Sequence, residues 1–144
     1  MIFISIMMSK RFSTIYFFNC SGHPLAMAAG LATLEVYEEQ GLFENAETLA
    51  PYWEAGLHSL KGLPNVIDIR NYGLMGAVEV TPIAGLPAKR ALDIFDRCWE
   101  KGLFIRVTGS TAAFSPPLIC TKAHIDRIVN TLAEAIVESS KELA

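Results

Sequence analysis

Apolar positions along the chain fall into alternating helical and strand periods. Leu25, Ala28, Ala29, Ala32 and Val36 recur at helical spacing, Pro24 suits a first helical turn and Gly41 stops the run, so a helix is predicted over about 25 to 40. Leu49, Trp53, Leu57 and Leu60 mark a second helix over about 42 to 60, with Gly62 at its end and a kink or a broken first turn expected from Pro51. Val66 to Arg70 and Leu74 to Thr81 read as two strands joined through Asn71, Tyr72 and Gly73. Prolines 82 and 87 bracket a loop. A third helix then covers Ala88 to Lys101, with Leu92, Phe95 and Trp99 on one face and Gly102 as terminator. Gly102 to Ile119 is strand, Gly109-Ser110 turn and strand. Thr121 caps a last helix in which Ile125, Ile128, Val129, Leu132 and Ile136 repeat at i, i+3, i+4, i+7 and i+11. The order is α-α-β-β-α-β-β-α. Short connections between neighbouring strands favour an antiparallel sheet of about four strands covered by helices, an α+β arrangement.

Residues 1 to 20 have a different texture: Ile, Phe and Met dominate and no period persists, so the native domain is expected to start at Ser21 and run to residue 144. The apolar run before Lys10 and Arg11 falls far short of the ~20 residues that span a bilayer. Its charges also follow the apolar run, the reverse of a secretory signal. Twelve basic against fifteen acidic residues give a net charge of −3, without the basic block that nucleic acid requires. No membrane and no nucleic-acid partner are expected. Cys20, Cys98 and Cys120 are widely spaced and odd in number, which fits a reduced, cytoplasmic setting.

Candidate chemistry narrows to one cation. The chain carries no nucleophile-elbow, phosphate-loop or dinucleotide motif, and His23, His58 and His124 are too scattered to hold a metal, so no metal site is expected. The reading of His58 and His124 is a solvated or capping side chain, and of His23 a turn residue. Ser21 and the helix opening after Pro24 could receive an anion, as every helix N-terminus can. Arg106 is different. It stands among Phe104, Ile105 and Val107 on a strand expected to be half-buried, whereas Arg70, Arg90, Arg97 and Arg127 can be solvated. A buried guanidinium needs a carboxylate or carbonyl partner, supplied either by the protein or by a ligand.

Ser21-Gly22-His23-Pro24-Leu25-Ala26, Gly41-Leu42, Val66 to Arg70 with Gly73-Leu74-Met75, and Gly102 to Arg106 with Ser115-Pro116-Pro117-Leu118 together resemble the C-terminal part of class III aminotransferases. The nearest likeness is to omega-amino acid:pyruvate (β-alanine:pyruvate) transaminases. The resemblance implies the small C-terminal domain of a fold-type I pyridoxal phosphate enzyme, working on small amino and keto acids as a homodimer with active sites at the subunit interface. It makes Arg106 the receptor for the substrate carboxylate. It also sets Asn19 and Ser21 near the cofactor phosphate, although Asn19 and Cys20 replace the Thr-Tyr usual there. Ser110 likewise replaces a common aspartate.

None of Lys10, Lys61, Lys89, Lys101, Lys122 or Lys141 matches the family's Schiff-base lysine, which lies upstream of Ser-Gly-His-Pro, so no catalytic residue is assigned. The expectation is a C-terminal fragment of a transaminase that moves an amino group from an omega-amino acid or amine to pyruvate or another keto acid, inactive alone. The alternative is a non-catalytic carboxylate-binding or dimerisation module of the same fold.

Overall fold

A computed structural model describes residues 23–143; Asn19, Cys20 and Ser21 lie outside the described residues. The chain divides into two compact units, Met1–Gly41 and Leu42–Ala144. In the first, helix α1 (Pro24–Glu39) begins at a proline as expected. The apolar face read from Leu25, Ala28, Ala29, Ala32 and Val36 is present as a period, yet no residue of α1 is buried. Periodicity marks a face fit for burial; it does not supply the cover.

The second unit contains α2 (Leu42–His58), β1 (Val66–Tyr72), β2 (Met75–Val80), α3 (Lys89–Glu100), β3 (Arg106–Thr108), β4 (Thr111–Phe114) and α4 (Lys122–Glu142). The strands form one antiparallel sheet in the order β1-β2-β4-β3, so the chain is α+β as read from its pattern. Helix α2 runs through Pro51 without ending. Asn71 and Tyr72 extend β1 instead of joining the turn.

One face of the sheet carries Gly76, Val78, Val80, Ala112 and Phe114, all buried beneath the helices. Trp53, Leu57, Ile94, Ile125, Leu132 and Ile136 complete this core, and Trp53 meets Phe114 edge-on with ring centres 6.0 Å apart. Gly76 is a point of closest approach: a Cβ there would lie 2.3 Å from Leu57 Cδ1 and 3.1 Å from the Trp53 ring. The amphipathic stripe of α4 is buried as its spacing predicts, and the Thr121 N–H donates to His124 Nδ1 at 3.2 Å, which makes His124 a capping side chain.

Helix α3 corrects the reading of its face. Arg90, Ala91, Ile94 and Cys98 are buried, while Leu92 and Trp99 are exposed. The buried stripe passes one residue away from the aromatic one. Arg90 is also the buried cation: its Nε donates to the Thr81 carbonyl at 3.0 Å, closing the end of β2 onto the first turn of α3.

Candidate functional site

The stretch Gly102–Ile119 folds as strand, turn and strand. A two-residue loop joins Thr108 to its partner Thr111, and the positive φ of Gly109 (59°) is a conformation that glycine adopts without a Cβ penalty. Ser110 is tied into the turn: its carbonyl accepts from Val80 N–H at 3.0 Å and its hydroxyl donates to Glu79 at 3.4 Å. Beyond β4, Asn45 of α2 donates to the carbonyls of Leu118 (2.6 Å) and Cys120 (3.1 Å), fixing the Ser-Pro-Pro-Leu segment.

Arg106 opens β3, an edge strand, and pairs with Ala113. Ile105 before it is buried and Val107 after it packs against the core, so the alternation turns Arg106 to the opposite, exposed face. The expected half-burial is therefore corrected: the strand is half-buried and the guanidinium is not. Among the described residues the Arg106 side chain makes no hydrogen bond or ion pair. An exposed guanidinium needs no protein partner, because water supplies its hydrogen bonds; it is free to take a carboxylate with its planar fork.

Registers carry this row across the sheet: Arg106 faces Ala113, Ala113 faces Ala77, and Ala77 faces Arg70. The far end is self-neutralised. Arg70 pairs with Asp68 and with Glu79 (3.1 Å). The hydrogen bonds that Arg70 donates to the Asp68 and Glu79 carboxylates raise its pKa above the usual arginine range. Arg106, beside two alanines, is the end of the row that an incoming anion can use.

Two other concave surfaces lie in this unit. One is lined by Leu86, Pro87, Lys89, Leu92, Asp93 and Asp96, the other mainly by α2, the β1–β2 turn and Pro116, and Arg106 lines neither. Of the described lysines, Lys101 is held at 3.0 Å by both Glu134 and Glu138, and Lys122 sits over the Tyr52 ring. Lys89 shares its groove with two carboxylates, a poor setting for a phosphate monoester. The other concave surface is lined by Glu47 and Glu54 with no cation, so neither of the two by itself fits pyridoxal phosphate. Burial pushes the Cys98 thiol up to about 11, which removes it as a nucleophile at neutral pH. Among the described residues no group of three or more His, Cys, Asp or Glu is placed to hold a metal, and no helix is long and apolar enough to cross a membrane.

Sequence reading missed an aromatic cluster at the end of α3. Phe104 stands edge-on to Phe95 (5.9 Å between ring centres) and to Trp99 (5.8 Å), and Phe95 stacks on Trp99 at 6.4 Å. Its signal is three aromatics around Gly102, of which helical spacing assigns Phe95 and Trp99 to a core-facing stripe.

Residues 19–136 match the family model for class-III aminotransferases. The chain belongs to the class III aminotransferases. Curated relatives agree: it is 49% identical over 119 residues to an omega-aminotransferase of Caulobacter vibrioides, and 39% identical over the same length to a beta-alanine–pyruvate aminotransferase of Pseudomonas aeruginosa. Each match takes 83% of this chain but 27% of the relative, so the chain spans about a quarter of their length. A solved transaminase with L-alanine superposes at a TM-score of 0.80 with 31% identity, covering 85% of this chain and 30% of that one. A thermostable omega transaminase mutant from Pseudomonas jessenii also gives 0.80 at 31% identity, over 85% and 28% of the two chains.

Proposed function

We propose that this class III aminotransferase chain is the carboxylate-recognising C-terminal part of an omega-aminotransferase, with Arg106 as the receptor. The observation that carries the reading is an unpaired guanidinium on the exposed face of the sheet, inside the motif that resembles the family's carboxylate-binding segment. The substrates are small omega-amino acids or amines as donors and pyruvate or a related keto acid as acceptor. The names of the relatives support this choice.

Pyridoxal phosphate supplies the electron sink of such transaminations when bound. Its lysine, its acidic partner and its main phosphate loop belong to the part of the family that precedes this region, with Asn19 and Ser21 at the phosphate from this side. This chain's own contribution is to bind and orient the carboxylate, and alone it does not turn over. The full enzyme is a cytoplasmic homodimer in this reading.

The purified chain is titrated with pyruvate and β-alanine by isotope-edited NMR, and alanine formation is assayed with added pyridoxal phosphate. The expected result is carboxylate binding that disappears in Arg106→Gln, with no alanine formed. Turnover by the chain alone, or binding indifferent to Arg106→Gln, overturns the proposal.

A further inference from the structure

The two arginines that end the row across the sheet have matching surroundings with one difference. Each faces an alanine across the ladder, Ala77 for Arg70 and Ala113 for Arg106. Each also has a same-face neighbour two residues along its own strand, Asp68 beside Arg70 and Thr108 beside Arg106. Those neighbours are paired in turn, Asp68 with Glu79 and Thr108 with Thr111. At the Arg70 end this second row supplies two carboxylates, and both reach the guanidinium. At the Arg106 end the same positions hold two hydroxyls. Val107 packs against the core and Ala112 is buried, so the alternation puts Arg106, Thr108, Thr111 and Ala113 together on the exposed face. Among the described residues neither threonine hydroxyl makes a hydrogen bond. Glu79, which faces Thr111 from β2, is engaged by Arg70 (3.1 Å) and by the Ser110 hydroxyl (3.4 Å).

The Arg70 end shows what the Arg106 end lacks. A same-face neighbour two residues away reaches an arginine on this sheet when it ends in a carboxylate, whereas Thr108 leaves a gap. Such neighbours stand roughly 6.4–6.8 Å apart along a strand, a separation that a carboxylate with a hydrogen bond on each side bridges. We infer that the hydroxyls of Thr108 and Thr111 complete the Arg106 receptor: they donate to the oxygens of the incoming carboxylate, which takes the place beside Arg106 that Asp68 and Glu79 take beside Arg70. This rests on the proposed role of Arg106 and deepens it. A hydroxyl donating to a carboxylate makes a charge-assisted bond, stronger than one between neutral groups. Arg106 brings one positive charge and the hydroxyls none, so the receptor matches a single carboxylate head.

Propionate is titrated into the full chain, with propionamide as its neutral counterpart, while the backbone amides of Arg106, Thr108 and Thr111 are followed by NMR. The hydroxyl contact predicts that Thr108→Val weakens propionate binding about threefold to tenfold, that Thr111→Val on top of it weakens binding further, and that Thr108→Ser, which keeps the hydroxyl, stays within about twofold of the parent chain. Valine keeps the β-branch that suits a strand, so the urea midpoint of the valine variants is expected to match the parent's. A threonine with only a structural role would move that midpoint and leave propionate binding unchanged. Full binding by the Thr108→Val, Thr111→Val double variant, or a loss in Thr108→Val that Thr108→Ser shares, overturns the hydroxyls and leaves the carboxylate role of Arg106 standing. Propionate binding that is absent, or that survives Arg106→Gln, overturns the Arg106 reading and the hydroxyls with it. Propionamide that binds as tightly as propionate does the same.

Discussion

At the scale of single residues, two arginines exchange the roles that their neighbours in sequence suggest. Arg106 sits among Phe, Ile and Val and is exposed; Arg90 sits between Lys89 and Ala91 on a helix rich in charge and is buried. The reason is geometric. A strand alternates faces, so an apolar neighbour on each side of Arg106 places Arg106 itself outward. A helix buries positions three or four apart, and Arg90 shares its stripe with Ile94 and Cys98. The Arg90 stem fills core space and its Nε holds Thr81, so truncation and charge removal should differ. Arg90→Ala is expected to destabilise the fold by about 2–3 kcal/mol through cavity and lost hydrogen bond, while Arg90→Met, which keeps the stem, costs less than about 1.5 kcal/mol. Urea unfolding of the two variants decides it; equal losses would mean that the guanidinium, not the stem, dominates.

At the scale of elements, α3 and α4 are joined by a charge network. Arg97 pairs with Asp93 (2.9 Å) and Glu142 (2.7 Å), and Lys101 with Glu134 and Glu138 (3.0 Å each). Burial pushes the Asp93 carboxyl upward, but the hydrogen bond and charge of Arg97, with the charge of Arg90, together leave it below the ordinary aspartate range. The hydrogen bond from Lys101 holds Glu138 below the ordinary glutamate range. Both folded values lie under the unfolded ones, so their stabilisation is complete above the ordinary carboxylate range and is lost as pH falls through the folded values. Stability should therefore be flat from about pH 7 to 5 and decline below about pH 4.5, where these carboxylates begin to take up protons when unfolded. Urea midpoints measured at pH 7, 5 and 3.5 test this, and the Asp93→Asn, Glu138→Gln double variant should show a shallower acid decline. A steeper decline in that variant would place the acid sensitivity elsewhere.

At the scale of the whole molecule, every buried core residue among the described residues lies at Leu49 or beyond, and α1 buries none. A chain beginning at Leu42 keeps every buried core residue among those described and is expected to unfold by itself in a single cooperative urea transition. A gradual loss of signal without a transition would show that this unit does not fold by itself. The sequence by itself determined the element order, the antiparallel α+β sheet, the α4 stripe, the Gly109 turn and the family, because hydrophobic period, turn chemistry and motif order are local properties of the chain. It singled out Arg106 as well, but for a burial that Arg106 does not have. Tertiary packing alone settles which arginine is buried, that Leu92 and Trp99 face outward, and that Phe104 stands edge-on to Phe95 and Trp99. Those facts depend on which face of each element its neighbours cover, and cover is supplied by residues far along the chain.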